Sequence, residues 1–156
     1  MKKYDVIIIG AGPSGIFCAC RLKELDPDIE ILMIEKGRSI EDRSCPKRVT
    51  KECVGCRPCS ITTGFAGAGA FSDGKLSLSP DVGGTLPEIL GYDRTQELIR
   101  RADEIYLTFG ADKQVYGIDD PDAIDTIRTK AIRANLKLIE CPIRHLGTEE
   151  GYKIYT

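Results

Sequence analysis

Three glycines, Gly10, Gly12 and Gly15, are spaced as G-x-G-x-x-G directly after the apolar run Tyr4–Ile9, and a carboxylate, Glu35, stands twenty residues past Gly15. In such a turn the first glycine takes the tight bend, and the second lets the main chain approach a pyrophosphate. The third lets the following helix pack close to the strand. Pro13 suits the first helical position, where an N–H would be unpaired anyway. With Ser14 it opens a helix whose free N–H groups and positive dipole end would receive the pyrophosphate. Glu35 sits where a dinucleotide site needs an acceptor for ribose hydroxyls. It disfavours a 2′-phosphate by like-charge repulsion, although Lys36 and Arg38 beside it oppose that effect.

These residues need a strand, a helix and a second strand to hold them. Tyr4–Ile9 reads as a parallel strand buried on both faces. Ile16, Phe17, Ala19, Cys20 and Leu25 make a helix that Asp26-Pro27 ends. Ile29–Ile34 is a second continuous apolar run that delivers Glu35. The alternative is a glycine turn in another kind of α/β protein.

Two further clusters could carry chemistry. The run Gly64–Leu76 contains Gly64, Gly67, Gly69 and Gly74 with three alanines between them, so its backbone can pass very close to another group. Ser72 and Lys75 could donate to phosphate or to ring oxygens, and Asp73 could shape the turn. The alternative is a tight turn that packs on the first helix. Cys45, Cys53, Cys56 and Cys59 form C-x7-C-x2-C-x2-C among Arg43, Lys47, Arg48, Lys51 and Arg57, with Glu52 alone opposing them. Four thiolates could bind zinc or an iron–sulfur cluster. A basic field also lowers thiol pKa and favours redox thiols. Metal ligation, redox chemistry and inert packing all stay open, and the basic residues themselves suit a solvated face or an anion site. His145, the only histidine, lies in R-H-L-G-T, where a general acid–base role and simple packing are both open.

The remaining elements are plainer. Residues 37–92 form a long excursion that holds half of the sixteen glycines between Gly55 and Gly91. Asp93 is expected to cap a helix, with Gln96 in the capping-box position. Leu98, Ile99, Ala102, Ile105, Tyr106 and Phe109 line one side of that helix, and Gly110 stops it. Asp120-Pro121 opens another helix, with Ile124, Ile127, Ala131 and Ile132 on one face. Leu136–Cys141 reads as a third strand closed by Pro142, and Gly147-Thr148 as a further helix start.

The chain has 156 residues, 42% hydrophobic and 29% charged, with a net charge of −2. That describes one ordinary globular domain and gives no reason to propose a nucleic-acid partner. Met-Lys-Lys followed by apolar residues imitates a signal peptide, but Asp5 and the Gly-Pro-Ser-Gly break fit strand, turn and helix better. No run approaches the ~18 apolar residues of a membrane span. Seven cysteines, an odd number, suggest a reducing, cytoplasmic setting rather than a disulfide framework.

D-V-I-I-I-G-A-G-P-S-G-I followed by I-E-K-G resembles the entry to flavoproteins that hold the ADP half of FAD. G-F-A-G-A-G-A-F-S-D-G-K-L, with R-H-L-G-T, is similar to a narrower group, the FAD-dependent dehydrogenases of bacteria and archaea. The resemblance implies an α/β fold: a Rossmann-like FAD/NAD(P)-binding domain, a parallel sheet with flanking helices, incomplete towards its C-terminus. It implies FAD as cofactor, a small-molecule substrate and an oxidoreductase activity. It points to Gly10, Gly12, Pro13, Ser14, Gly15, Glu35, Lys36, Gly67, Gly69, Ser72 and Lys75 as cofactor contacts. The family's later A-T-G-like turn and its G-D at the ribityl chain do not occur here. The chain is therefore expected to be the N-terminal portion of a larger enzyme without its substrate domain, able to self-associate through an incomplete sheet. The rival reading is a cysteine-centred metal- or redox-binding module on a degenerate nucleotide fold.

Overall fold

The computed structural model describes residues 2–147 and 153–154. The chain divides into two compact units, with the boundary between Ser72 and Asp73 inside the glycine-rich run. Both are small α/β assemblies with short strands.

In the first unit, β1 (Val6–Ile9) pairs in parallel with β2 (Ile31–Ile34), Val6 opposite Ile31 and Ile9 opposite Ile34. Helix α1 (Pro13–Leu25) makes the crossover between them and ends at Asp26. A parallel pair requires such a crossover, and this one is the minimal β-α-β unit. The expectation that β1 is buried on both faces is corrected. Its exposure alternates: Ile7 is 59% and Ile9 86% exposed, because α1 packs against the opposite face, where Ile8 meets Gly15. Beyond β2 the excursion carries the short α2 (Lys47–Thr50) and a 3-10 turn over Gly67–Phe71. Ala11, Ile16 and Ala66 are the buried apolar residues described in this unit.

In the second unit, β3 (Lys75–Ser77) pairs antiparallel with β4 (Ile143–His145). Between them come α3 (Leu86–Leu90), α4 (Tyr92–Thr108) and α5 (Pro121–Arg133). The third strand at Leu136–Cys141 does not form, so the described parallel sheet has two strands. Leu136 donates its N–H to Ala131 and Asn135 turns left-handed at φ 55°, so this stretch begins by closing α5, and Leu136 and Ile139 lie exposed. Pairing starts only at Pro142, whose carbonyl accepts from Leu78, and Ile143 exchanges both backbone bonds with Tyr116.

Asp93 does not cap α4. Gly91, at φ 82°, joins α3 to α4, so Asp93 falls within the first turn, and Gln96 donates to the Leu78 carbonyl instead. Asp120 does cap α5, accepting from the Ala123 N–H at 2.9 Å. On α4, Ile99, Ala102, Ile105 and Tyr106 are half-buried while Leu98 and Phe109 are exposed; on α5, Ile127 and Ile132 are exposed. The buried anchor of this unit is polar. Arg144, 6% exposed, binds both carboxylate oxygens of Asp103 and donates to the Asp112 carbonyl at 2.7 Å. The helix start expected at Gly147-Thr148 lies outside the described residues from position 148 on. No described helix is long and apolar enough to cross a membrane.

Candidate functional site

The glycine turn has the geometry its spacing predicts. Gly10 takes φ +101°, a region that strains any L side chain. A Cβ on Gly15 would lie 2.1 Å from the Gly10 carbonyl oxygen, so only glycine lets α1 approach β1 this closely. Gly12 differs from both. Its backbone is extended, and a Cβ there would meet nothing within 4 Å. It is the N-cap of α1 and makes no side-chain cap bond, Pro13 follows it, and no acid occupies the first turn. The N–H groups and the dipole of a 13-residue helix therefore face open space beside Gly12.

Glu35 leaves the end of β2 and reaches back to this turn. One carboxylate oxygen accepts the Ala11 N–H at 3.0 Å, and the other accepts the Gly37 N–H at 2.8 Å. These two backbone bonds, Ala11's first, hold the carboxyl below the usual glutamate range. The Gly64 N–H draws it down further, and of the roughly four acceptor positions of a carboxylate one is left for another donor. The side chain thus orders the turn and still presents an acceptor.

A third segment completes the wall. Ala66 donates to the Ala11 carbonyl at 2.7 Å and Phe65 to the Arg38 carbonyl at 3.0 Å. A Cβ on Gly37 would lie 2.4 Å from the backbone of Gly64, so the two chains pass in contact, and Gly67 packs against Gly12 and Pro13. Ala66 is left-handed at φ 66°, which costs an L residue roughly 1–2 kcal/mol. Full burial of this residue and the bond to Ala11 hold it there. Arg43, 6% exposed, fastens the segment by donating to the carbonyls of Ser60, Ile61 and Phe65 while stacking over the Phe71 ring at 4.7 Å. Its burial lowers the guanidinium pKa; Glu35 and Cys59 oppose that through space. Of the five basic residues read as a solvated face or an anion site, Arg43 is therefore a buried structural cation.

Gly10, Gly12, Glu35, Lys36, Thr63 and Gly67 line a cavity of about 410 Å³. That volume lies in the range of small-molecule and cofactor sites. Among the expected contacts, Pro13, Ser14 and Gly15 form the first turn of α1 behind it. Gly69 and Ser72 lie on the 3-10 turn and at its end, where the Gly69 carbonyl accepts the Ser72 N–H. Lys75 belongs to the second unit and pairs with Asp73 at 3.0 Å. An uncapped helix end, an open glycine and a preordered carboxylate on one cavity are the donor and acceptor set that an ADP moiety requires. Arg43 and Ala66 escaped the sequence reading: an arginine among four other cations carries no signal of burial, and alanine none of positive φ.

All seven cysteines are free, and no three His, Cys, Asp or Glu among the described residues stand together as a metal-holding group. The Cys59 thiol is pushed down by the Ile61 N–H first, then by the Thr62 N–H and hydroxyl, with Arg43 adding to it. His145 stands edge-on to Tyr116, ring centroids 4.9 Å apart.

No protein-family model and no solved structure matches the chain. Short stretches are similar to known oxidoreductases. A mitochondrial electron transfer flavoprotein-ubiquinone oxidoreductase of Oryza sativa is 44% identical over 41 residues, 24% of this chain and 7% of that protein. The digeranylgeranylglycerophospholipid reductase of Methanosarcina mazei is 43% identical over 53 residues, 33% of this chain and 12% of that one. Oxygen-dependent choline dehydrogenase 1 of Chromohalobacter salexigens is 53% identical over 36 residues, 23% and 6%. The chain thus spans about a tenth or less of the length of these relatives.

Proposed function

We propose that the first unit is the FAD-binding portion of an oxidoreductase and that its cavity takes the ADP half of the cofactor. The observation that carries this reading is the convergence of the uncapped α1 N-terminus and the Glu35 carboxylate on one cavity. The kinship with an oxidoreductase, a reductase and a dehydrogenase supports it. Gly12 admits the pyrophosphate, the N–H groups at Ser14 and Gly15 receive it, and Gly67 bounds it from the side. Glu35 accepts from the ribose hydroxyls, and Lys36 adds positive charge at the rim. Gly69 and Ser72, along the glycine-rich run, are further contacts of the same reading. The bound flavin supplies hydride or electron transfer, while this chain binds and orients it. The fold is then a Rossmann-like dinucleotide-binding unit with a small-molecule substrate, working in a reducing cytoplasm.

Calorimetric titration with ADP and with FAD tests the proposal. Glu35→Ala should weaken both by about 1–3 kcal/mol, the scale of hydrogen bonds to a charged group. Equal affinity in wild type and variant would remove Glu35 from the site.

A second reading, a redox-thiol module on the same fold, rests on the free cysteines and the acidified Cys59. The absorption spectrum separates the two. Flavin bands in the purified protein support the first; no flavin uptake, with thiols that cycle under mild oxidant, supports the second.

A further inference from the structure

The excursion holds a second cavity, of about 320 Å³, that the nucleotide reading does not use. Arg38, Arg43 and Arg57 line it, with Cys56, Ser44 and Ser60, and none of its lining residues is a carboxylate. Between Lys36 and Cys59 the sequence carries seven cations against Glu41, Asp42 and Glu52, in a chain whose net charge is −2. The acids nearest in sequence do not enter the cavity, and Asp42 is bound to the Ser39 hydroxyl at 3.0 Å.

Arg43 makes this more than a basic surface. It is nine-tenths buried and donates to three neutral carbonyls; the Glu35 carboxylate acts on it only through space. A buried cation of this kind is costly to hold in a low-dielectric site, and an anion beside it relieves that cost. Arg38 and Arg57, both exposed, stand at the same cavity, and a guanidinium fork matches phosphate or carboxylate oxygens two at a time. The hydroxyls of Ser44 and Ser60 add neutral donors.

We propose that this cavity is an oxyanion-binding site for a small molecule bearing a phosphate or carboxylate group, distinct from the nucleotide cavity with which it shares Thr63. Arg38 and Arg57 bind the charged group, and Arg43 supplies a fixed field. The site stands on its own lining and does not need the first cavity to hold FAD.

Cys56 is a probe already in place. The full chain is labelled with iodoacetate, an anion, or with neutral iodoacetamide, and tandem mass spectrometry follows Cys56 against Cys18, exposed on α1. The same thiolate displaces iodide from both reagents, so their rate ratio cancels the thiol's own acidity. The ratio at Cys56 should exceed that at Cys18 about ten-fold, as a charge-focusing cleft requires. Inorganic pyrophosphate should slow labelling of Cys56 and not of Cys18. The double variant Arg38→Gln, Arg57→Gln should abolish both effects while the Arg43 clamp stays in place. Equal ratios at the two cysteines, or labelling of Cys56 indifferent to pyrophosphate, would overturn the proposal. Repeating the protection in Gly12→Ala, whose methyl group stands where the nucleotide turn would receive pyrophosphate, separates the two cavities: protection that survives supports a distinct site. Protection lost together with ADP binding would assign the anion to the nucleotide cavity and refute a second one.

Discussion

Glu35 does two things at once, and they can be separated by pH. Its carboxyl is lowered by the N–H groups of Ala11 and Gly37, so its contribution to folding is fully present above the ordinary glutamate value. That contribution fades as pH falls through the lowered folded value, because the unfolded chain then binds the proton more tightly. Urea titrations across the acid range should show wild type losing more stability than Glu35→Gln, with the two curves parallel at neutral pH. Parallel curves throughout would mean the two backbone bonds are not formed in solution. Gly12 offers the complementary test. With open space around its Cβ position and φ at −78°, Gly12→Ala should change stability by less than about 0.5 kcal/mol. ADP affinity should nevertheless fall, since the methyl group stands where the pyrophosphate approaches. If affinity is unchanged, the turn is only structural.

Among the elements, the contact of α1 with β1 and the seating of β4 carry the clearest consequences. Gly15→Ala places a methyl carbon against the Gly10 carbonyl, which is backbone and cannot step aside. Overpacking of this kind typically costs about 1–3 kcal/mol, and here α1 must lift from the strand. The melting temperature of Gly15→Ala should drop well below that of Gly12→Ala, although both change glycine to alanine within one motif. In the second unit, Asp103→Ala leaves Arg144 buried with only carbonyl partners, an expected loss of about 3–5 kcal/mol. A surface-like loss under about 1 kcal/mol would show that Arg144 reaches water instead.

The whole molecule is thinly cored. Among the described residues the buried apolar set is Ala11, Ile16, Ala66, Ala111 and Leu146, and no large side chain is fully buried. Ile7, Ile9 and Ile34 of the parallel pair lie exposed, as do Ile127 and Ile132 of α5. So little burial leaves a narrow margin over conformational entropy. The chain should therefore self-associate at micromolar concentration in light scattering and unfold at low temperature. ADP should raise its melting point by mass action. A strictly monomeric chain with a sharp, high-temperature transition would overturn this prediction.

The β-α-β entry was legible because its signals are local. Glycine spacing dictates where backbone can pass, Pro13 and Asp26-Pro27 bound one helix, and unbroken apolar runs mark two short strands. Asp120 was readable for the same reason, since a cap acts within three residues. Leu136–Cys141 was not. Its apolar residues look like a strand, but strand formation needs a partner, and β3 pairs with Ile143–His145, where Arg144 can also reach Asp103. Asp93 failed similarly, because Gly91 already joins the preceding α3 to α4. The site divides along the same line. Composition and spacing determined that Gly10, Gly12, Gly15 and Glu35 belong together. Only the tertiary structure decided that Arg43 is buried, that Ala66 turns left-handed onto Ala11, and that Gly67 meets Gly12. Each of those depends on a contact between segments distant in sequence, and sequence proximity carries no record of the free energy of such contacts.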